Sequence, residues 1–353
     1  MDTPLEFRRS RQGWLDRLLS PLAPVRPGEG GGALLLASNI FLVLFSYYIL
    51  KTVRESLILS EAGAVVKSYS GALQAVLLLL IVPLYGAFGS RVNRLRLINW
   101  VTLFFISHLL IFAALGARGI HVGIAFFLWV GIFNVLVIAQ FWAFANDIYS
   151  EEQGKRLFAI VGIGSSLGAW LGAVAAGDFF AALGPYRLML AAAVLLSLSL
   201  LITYIVHRRE STGEEKGRVA AEPLGKQGGF RLVLKERYLF LIAALIVVLN
   251  VVNTIGEFLL GKLVVNAADL SVGAGANAEA LKKAFIGQFY GNFFGWVNLL
   301  GFLFQLFLVS RIFKYIGVRG ALFILPCIAL GGYGLLLTLP DRKSTRLNSS
   351  HRT

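Results

Sequence analysis

Long apolar runs separated by short basic loops dominate this sequence and restrict the folds open to it. A run of about 18 or more apolar residues is long enough to cross a bilayer as a helix. Nine such stretches occur, at 33–59, 64–88, 97–116, 120–146, 157–182, 187–206, 238–264, 284–310 and 319–339. Because 57% of the 353 residues are hydrophobic and only 15% are charged, a soluble domain could not bury this much apolar surface. The sequence therefore predicts an all-α membrane protein whose helices lie in a lipid bilayer.

The cations between the apolar stretches indicate the orientation of the chain. If the N-terminus is cytoplasmic, the inner loops hold 21 Lys and Arg residues, and the outer loops hold only five, namely Lys67, Arg118, Arg187, Lys282 and Lys283. Cytoplasmic loops of membrane proteins carry such an excess, so we expect the N-terminus inside. The net charge of +14 follows from these loops, and nucleic acid is not an expected partner.

A polar stretch at 207–237 divides the apolar runs into two groups. It is charged, rich in glycine and poor in apolar residues, which is typical of a linker. We expect a cytoplasmic segment at 1–32, a six-helix half at 33–206, this cytoplasmic linker, and three helices of a second half at 238–340. That plan is the plan of a major facilitator-type helical bundle, with about nine of twelve transmembrane helices present.

The C-terminal stretch 341–353 follows the last apolar run abruptly and has no periodicity. We expect it to be a non-native artefact of a truncated reading frame. The chain would then be a fragment that lacks about three helices and does not transport on its own.

Enzymatic and metal chemistry have little support in the sequence. Cys327 is the single cysteine and the four histidines are scattered, so neither a disulfide nor a cysteine zinc site is expected. No nucleophile–base pair is recognisable. We therefore expect neither a cofactor nor enzymatic activity.

The first apolar run carries three ions in the stretch YYILKTVRES, at 47–56. Tyr47, Lys51, Arg54 and Glu55 follow helical spacing and share one stripe, on which Lys51 and Glu55 can pair at i, i+4. Two cations against one anion leave positive charge that would attract a phosphate in a low-dielectric cavity. The alternative is that these long side chains snorkel to the lipid headgroups.

The seventh run carries a second polar stripe. Asn250, Asn253, Thr254 and Glu257 recur at i, i+3, i+4 and i+7, and Lys262 lies five residues further on, off that face. In a bundle of two six-helix halves this helix is the counterpart of the first, so each half offers ions to a central site. A hydrogen-bond network between helices is the alternative.

The fourth run ends in polar and aromatic residues, and the fifth run contains a glycine repeat. Gln140 and Asp147 share a face near the end of the fourth run, next to Asn146 and several aromatic residues, which suit either a stacked base or an interfacial aromatic belt. Gly164, Gly168 and Gly172 repeat every four residues in the fifth run and predict close helix packing. No Gly-Lys-Ser/Thr follows them, which excludes a P-loop.

Four stretches together resemble a known family: LKTVRESLIL (50–59), FWAFANDIYSEEQGKRLF (141–158), GEFLLGKL (256–263) and FIGQFYGNFFG (285–295). They are similar to the non-mitochondrial ATP/ADP translocases, over about residues 33–340. The resemblance implies a twelve-helix carrier, expected in a bacterial inner membrane, that exchanges ATP for ADP and phosphate. It also implies roles for Lys51, with Arg54, and for Glu257. The acid that the family carries in its fourth helix has no counterpart in 126–140.

Two functions therefore remain open. The first is a nucleotide antiporter of the ATP/ADP type, a monomer that works by alternating access. The second is a carrier of the same fold for another organic anion or small molecule, which the missing acid favours. The candidate substrate-binding residues are Tyr47, Lys51, Arg54, Glu55, Gln140, Asn146, Asp147, Asn253, Glu257 and Lys262.

Overall fold

The computed structural model describes residues 13–89, 91–210, 233–273, 275 and 277–338. The predicted linker is described only at its two ends, and the predicted artefact tail lies outside the described residues. Every element named within these ranges is a helix. In chain order they are α1 (Trp14–Leu19), α2 (Gly30–Glu61), α3 (Gly63–Gly89), α4 (Arg94–Ala117), α5 (Gly123–Ile148), α6 (Glu151–Glu210), α7 (Arg237–Val272), α8 (Ala278–Phe307), α9 (Val309–Tyr315) and α10 (Gly317–Thr338).

Six of the described helices, α2 to α7, are long and apolar enough to cross a membrane, as judged by their length and composition. The 24 residues of α4 extend further than the roughly 30 Å hydrocarbon core, at about 1.5 Å per residue. Large apolar side chains such as Leu103, Leu110 and Val194 are exposed on their surfaces, which suits lipid and would be costly in water. The prediction of an all-α membrane protein is confirmed. The count of nine spans and the major facilitator arrangement stay predictions.

Helix α6 contains two of the predicted spans, 157–182 and 187–206, joined at a kink. Gly184 has φ 70° and ψ 173°, a conformation that glycine adopts without steric cost. Pro185 follows it and cannot donate the backbone hydrogen bond that a continuous helix requires there. The predicted break between these two spans is therefore present, as a sharp kink without an intervening loop.

The glycine repeat of α6 packs directly on α2. A Cβ atom on Gly164, Gly168 or Gly172 would lie 2.4–2.5 Å from a backbone carbonyl oxygen of α2, at Ala37, Phe41 and Phe45 in turn. Only a residue without a side chain permits this approach of two backbones. The predicted close packing is confirmed, and it holds α2 along the first half of α6.

Helices α7 and α8 pack against the preceding helices over only part of their length. The buried residues of α7 are Gly261, Val264 and Ala268, and those of α8 lie between Ile286 and Gly295. They form one apolar cluster with Ile58 and Leu59 of α2, Ala64 of α3, Phe127 of α5 and Ala173 of α6. This packing brings the last third of α7 and the middle of α8 next to Ile58 and Leu59 in the last turns of α2, just beyond the charged stripe.

The chain divides into two compact units, of which the first ends at Leu299 and the second begins at Leu300. The first holds α1 to α7 and most of α8. The described part of the second holds the end of α8, α9 and α10, with Pro326 inside α10 and an exposed thiol at Cys327. The predicted division into two halves at 207–237 stays a prediction.

Candidate functional site

The charged stripe of α2 forms a buried cluster of ions inside the first unit. The side chain of Glu55 is 2% exposed and that of Arg54 is 12% exposed. Arg54 donates from Nη2 to Glu55 Oε1 at 2.5 Å and from Nε to the same oxygen at 3.1 Å. Buried charges persist in proteins when they are paired in this way. An internal cluster of ions fits this geometry better than side chains that snorkel to headgroups.

Lys67 of α3 belongs to the same cluster, although the sequence placed it in an outer loop. Helix α3 begins at Gly63, so Lys67 lies in its second turn with a side chain that is 8% exposed. Its ammonium is 2.6 Å from Glu55 Oε2 and 3.7 Å from Glu257 Oε2. Each oxygen of Glu55 therefore has its own cation. The one sequence signal for this residue is its position inside the predicted span 64–88.

Lys51 has no carboxylate within ion-pair distance among the described residues. The expected i, i+4 pair with Glu55 is wrong, because Arg54 and Lys67 already occupy both oxygens of that carboxylate. The Lys51 ammonium instead lies 4.2 Å from the ring centroid of Phe294 and 5.2 Å from that of Tyr48. Cation–π contacts of this kind contribute about 0.5–2 kcal/mol each. Lys51 is thus the cation of this cluster without an acidic partner.

Aromatic side chains from several helices surround the ions. The Arg54 guanidinium lies 4.7 Å from the ring of Phe127, and the Lys67 ammonium lies 5.7 Å from the ring of Tyr290. The hydroxyl of Tyr290 is buried and has no hydrogen-bond partner among the described residues. Tyr47 is 8% exposed and packs on Phe133, with ring centroids 6.4 Å apart. Tyr290 was not among the predicted site residues, although it lies in the family-like stretch 285–295.

Helix α7 contributes one of its predicted residues directly to the cluster. Glu257 approaches Lys67 through Oε2, and its Oε1 accepts a hydrogen bond from Asn253 Nδ2 at 3.1 Å. The Glu257 side chain is 52% exposed. Lys262 does not join the cluster, since it is exposed and its ammonium lies 5.6 Å from the ring of Phe258 on the same helix.

The three predicted residues of α5 lie elsewhere in the bundle. Phe127, at the start of α5, contacts Arg54, while Gln140 is 13 residues and Asp147 is 20 residues further on, about 20 Å and 30 Å along the axis. Asp147 Oδ2 accepts a hydrogen bond from Arg94 Nε of α4 at 2.8 Å. Asn146 is exposed. A shared helix face therefore did not identify residues that share a site.

Gln140 lines a small cavity of mixed polar and apolar lining between α2, α4, α5 and α6. The cavity is also lined by Asn39, Thr102, Ser199 and Thr203. Asn39 donates from Nδ2 to Thr203 Oγ1 at 2.6 Å. These contacts are hydrogen bonds between helices, the alternative reading of polar residues within spans.

A second group of ions joins the end of α2 to the start of α8. Glu61 Oε2 accepts from the backbone nitrogen of Gly123 at 2.7 Å, and Glu61 Oε1 is 3.2 Å from Lys283 Nζ. The same ammonium is 2.8 Å from Glu279 Oε1. Ser56 Oγ donates to the backbone oxygen of Lys283 at 2.6 Å. Lys283, which the sequence predicts only as an outer-loop cation, is therefore part of an ion group between helices.

The opposite end of α2 is held by a third group. Glu29 accepts two hydrogen bonds of 2.9 Å from the Arg156 guanidinium of α6, and this contact lowers the pKa of Glu29 to about 2. Asp16 of α1 accepts from the backbone nitrogens of Gly28 and Gly30, and these bonds lower the pKa of Asp16. Arg26 also pairs with Glu152, with both side chains largely exposed.

The fold and the buried ions define a class: an all-α membrane protein that holds a cluster of paired and unpaired charges between its helices. Among characterised proteins, the chain is similar to ADP,ATP carrier protein 1 of Chlamydia pneumoniae, with 22% identity over 223 residues. The match covers 56% of this chain and 40% of that relative. The similarity supports the resemblance to the nucleotide translocase family. No family model and no solved structure matches the chain.

No group of three or more His, Cys, Asp or Glu side chains that could hold a metal ion occurs in the described parts of the chain. The chemistry available at the cluster is that of ammonium, guanidinium, carboxylate and aromatic groups.

Proposed function

We propose that this protein is a nucleotide antiporter that exchanges ATP-type and ADP-type anions across a bacterial inner membrane by alternating access. The observation that carries the proposal is the composition of the buried cluster. Arg54 and Lys67 pair with the carboxylates of Glu55 and Glu257, and Lys51 has no carboxylate partner among the described residues, so one positive charge is not balanced. Uncompensated positive charge in a low-dielectric site attracts multiply charged phosphates strongly.

The residues of the cluster have different roles in this proposal. Arg54 and Lys67 hold Glu55 in place, so that the first half of the bundle keeps a fixed arrangement of charge. Lys51 rests on the rings of Phe294 and Tyr48 and binds the substrate phosphate by exchanging a cation–π contact for a charge-assisted hydrogen bond. No covalent bond is made or broken.

The two ends of the bundle differ in a way that suits alternating access. At the end of α2, Lys283 and Ser56 tie α8 to the preceding helices. Toward the start of α7, residues 237–257 are exposed or half-buried. With the N-terminus inside, this conformation is closed to the outside, and opening it requires the contacts of Lys283 to separate.

Uptake of labelled ATP by cells that express the protein tests the proposal. Lys51→Gln should reduce uptake at least about tenfold, because one charge-assisted contact to phosphate is lost. Lys155→Gln is the matched control, because Lys155 is exposed and pairs only with Glu151 in its own helix among the described contacts. Unchanged uptake in Lys51→Gln, with equal protein in the membrane, would reject the assignment.

A second candidate function is transport of another organic anion by the same fold. The stretch 126–140 lacks an acid, whereas the family that the chain resembles carries one in this helix. A competition panel against labelled ATP separates the two candidates. Competition by ADP alone favours the nucleotide exchanger, and competition by unrelated anions at equal concentration favours the second function.

A further inference from the structure

Lys67 lies between two carboxylates that hold it unequally. Glu55 Oε2 is 2.6 Å from its ammonium and belongs to a side chain that is 2% exposed. Glu257 Oε2 is 3.7 Å away and belongs to a side chain that is 52% exposed. The first distance is that of a close ion pair between two buried groups. The second exceeds hydrogen-bond range and leaves a longer, weaker ion pair.

Because Glu257 is the more distant of the two carboxylates, it is the partner of Lys67 that a ligand can replace. Glu55 cannot leave Lys67 without leaving one oxygen of a buried carboxylate unpaired, which is strongly unfavourable. Glu257 can turn away, since its side chain is half exposed and its other oxygen already accepts a hydrogen bond from Asn253. The position that Glu257 vacates lies beside a lysine that is otherwise buried.

A second observation points to an anionic ligand at the same place. The hydroxyl of Tyr290 is buried without a hydrogen-bond partner among the described residues, and its ring lies 5.7 Å from the Lys67 ammonium. Buried polar groups are nearly always hydrogen-bonded. The unpartnered Tyr290 hydroxyl beside these charges could therefore donate to a ligand with acceptor oxygens. Phosphate supplies such oxygens and carries the charge that Lys67 attracts.

We propose that Lys67 is a phosphate-binding residue and that Glu257 is its built-in competitor. An incoming phosphate takes the place of Glu257 on Lys67 while Glu55 remains bound. Because Lys67 is on α3 and Glu257 is on α7, this exchange breaks an ion pair between the two helices when substrate arrives. The inference rests on the proposed function only in taking the transported anion to be phosphorylated.

The exchange has a consequence that a purely structural ion pair does not have. Removing the competitor strengthens phosphate binding, so Glu257→Gln raises affinity for ATP about threefold or more and leaves adenosine unaffected. Lys67→Gln lowers affinity for ATP about tenfold, which is the loss of one charge-assisted contact. In the double variant the effect of Glu257→Gln disappears, because the two residues act through one contact.

The experiment is equilibrium binding of ATP, pyrophosphate and adenosine to the purified full chain in lipid nanodiscs. Four proteins form the cycle: the unmodified chain, Lys67→Gln, Glu257→Gln and the double variant. Glu279→Gln is the matched control, since Glu279 is an exposed carboxylate that pairs with Lys283 outside the cluster. Lys67→Arg keeps the charge if Lys67→Gln does not fold, and should retain both binding and the gain from Glu257→Gln.

The outcomes separate this inference from the proposed function. Weaker binding in Glu257→Gln, or additive effects in the double variant, would overturn the exchange. Lys67-dependent binding of pyrophosphate equal to that of ATP would support the exchange and reject nucleotide recognition. An unmodified chain that binds no phosphorylated anion would overturn both.

Discussion

Glu61 and Lys283 form a buried ion pair that joins the last turn of α2 to the first turns of α8. Glu61 Oε1 lies 3.2 Å from Lys283 Nζ, and their side chains are 4% and 12% exposed. The pair crosses from the helices of the first six predicted spans to those that follow the predicted linker. A carrier that alternates its access must break such a contact once per cycle.

Removal of this lysine should loosen the packing of α8 against the end of α2. Lys283→Gln leaves Glu61 and Glu279 without their cation, and we expect the free energy of unfolding to fall by about 1–3 kcal/mol. The matched control is Lys282→Gln, because its neighbour Lys282 pairs with the half-exposed Asp269, and surface pairs contribute about 0–1 kcal/mol. Thermal unfolding in detergent measures both.

The same substitution should expose a site that is now covered. Ser56→Cys in a Cys327→Ala background places a thiol against the backbone oxygen of Lys283. A membrane-impermeant maleimide should label it slowly in that background and several-fold faster when Lys283→Gln is added. Equal labelling rates would show that Lys283 does not close this end.

Backbone contact between α2 and α6 should tolerate no added methyl group. Gly168→Ala would place a Cβ atom 2.4 Å from the backbone oxygen of Phe41, and such overpacking costs about 1–3 kcal/mol. Gly162→Ala is the matched control on the same helix, with nothing within 4 Å of the added atom. It should be neutral or slightly stabilising, since alanine favours the helix. Equal melting temperatures for the two variants would contradict the packing described.

The contact between Glu29 and Arg156 should make stability depend on pH in the acid range. The pKa of Glu29 in the folded chain is about 2, against an ordinary value of 4.5. A depressed pKa contributes stability above the unfolded value that is lost as pH falls from about 4.5 toward 2. Glu29→Gln should therefore lower stability at neutral pH and flatten this loss. Glu152→Gln is the control, because its pair with Arg26 is exposed; an equal flattening there would contradict the assignment.

The helices and much of their packing were predictable from local pattern. Apolar runs of spanning length predicted where helices form, and glycine at every fourth position predicted the approach of α6 to α2, because both depend on residues near one another in sequence. The i, i+4 spacing also placed Tyr47, Lys51, Arg54 and Glu55 on one stripe correctly.

The partners of those residues depended on neighbours distant in sequence. Lys67 was assigned to a loop, although it supplies the second cation of Glu55. Gln140 and Asp147 were grouped with the substrate site by chemical type, yet they lie about 20–30 Å along α5 from the residue that contacts Arg54. Pattern identifies the face of a helix, and packing alone determines which faces meet.

Nucleotide exchange is tested most directly by trans-acceleration. Cells that express the protein are loaded with unlabelled nucleotide, and uptake of labelled ATP is measured with and without excess external ADP. We predict uptake that external ADP competes away and that internal nucleotide accelerates. Absence of uptake, with the protein verified in the membrane, would contradict the account. The cation cluster would then have to serve an anion other than a nucleotide.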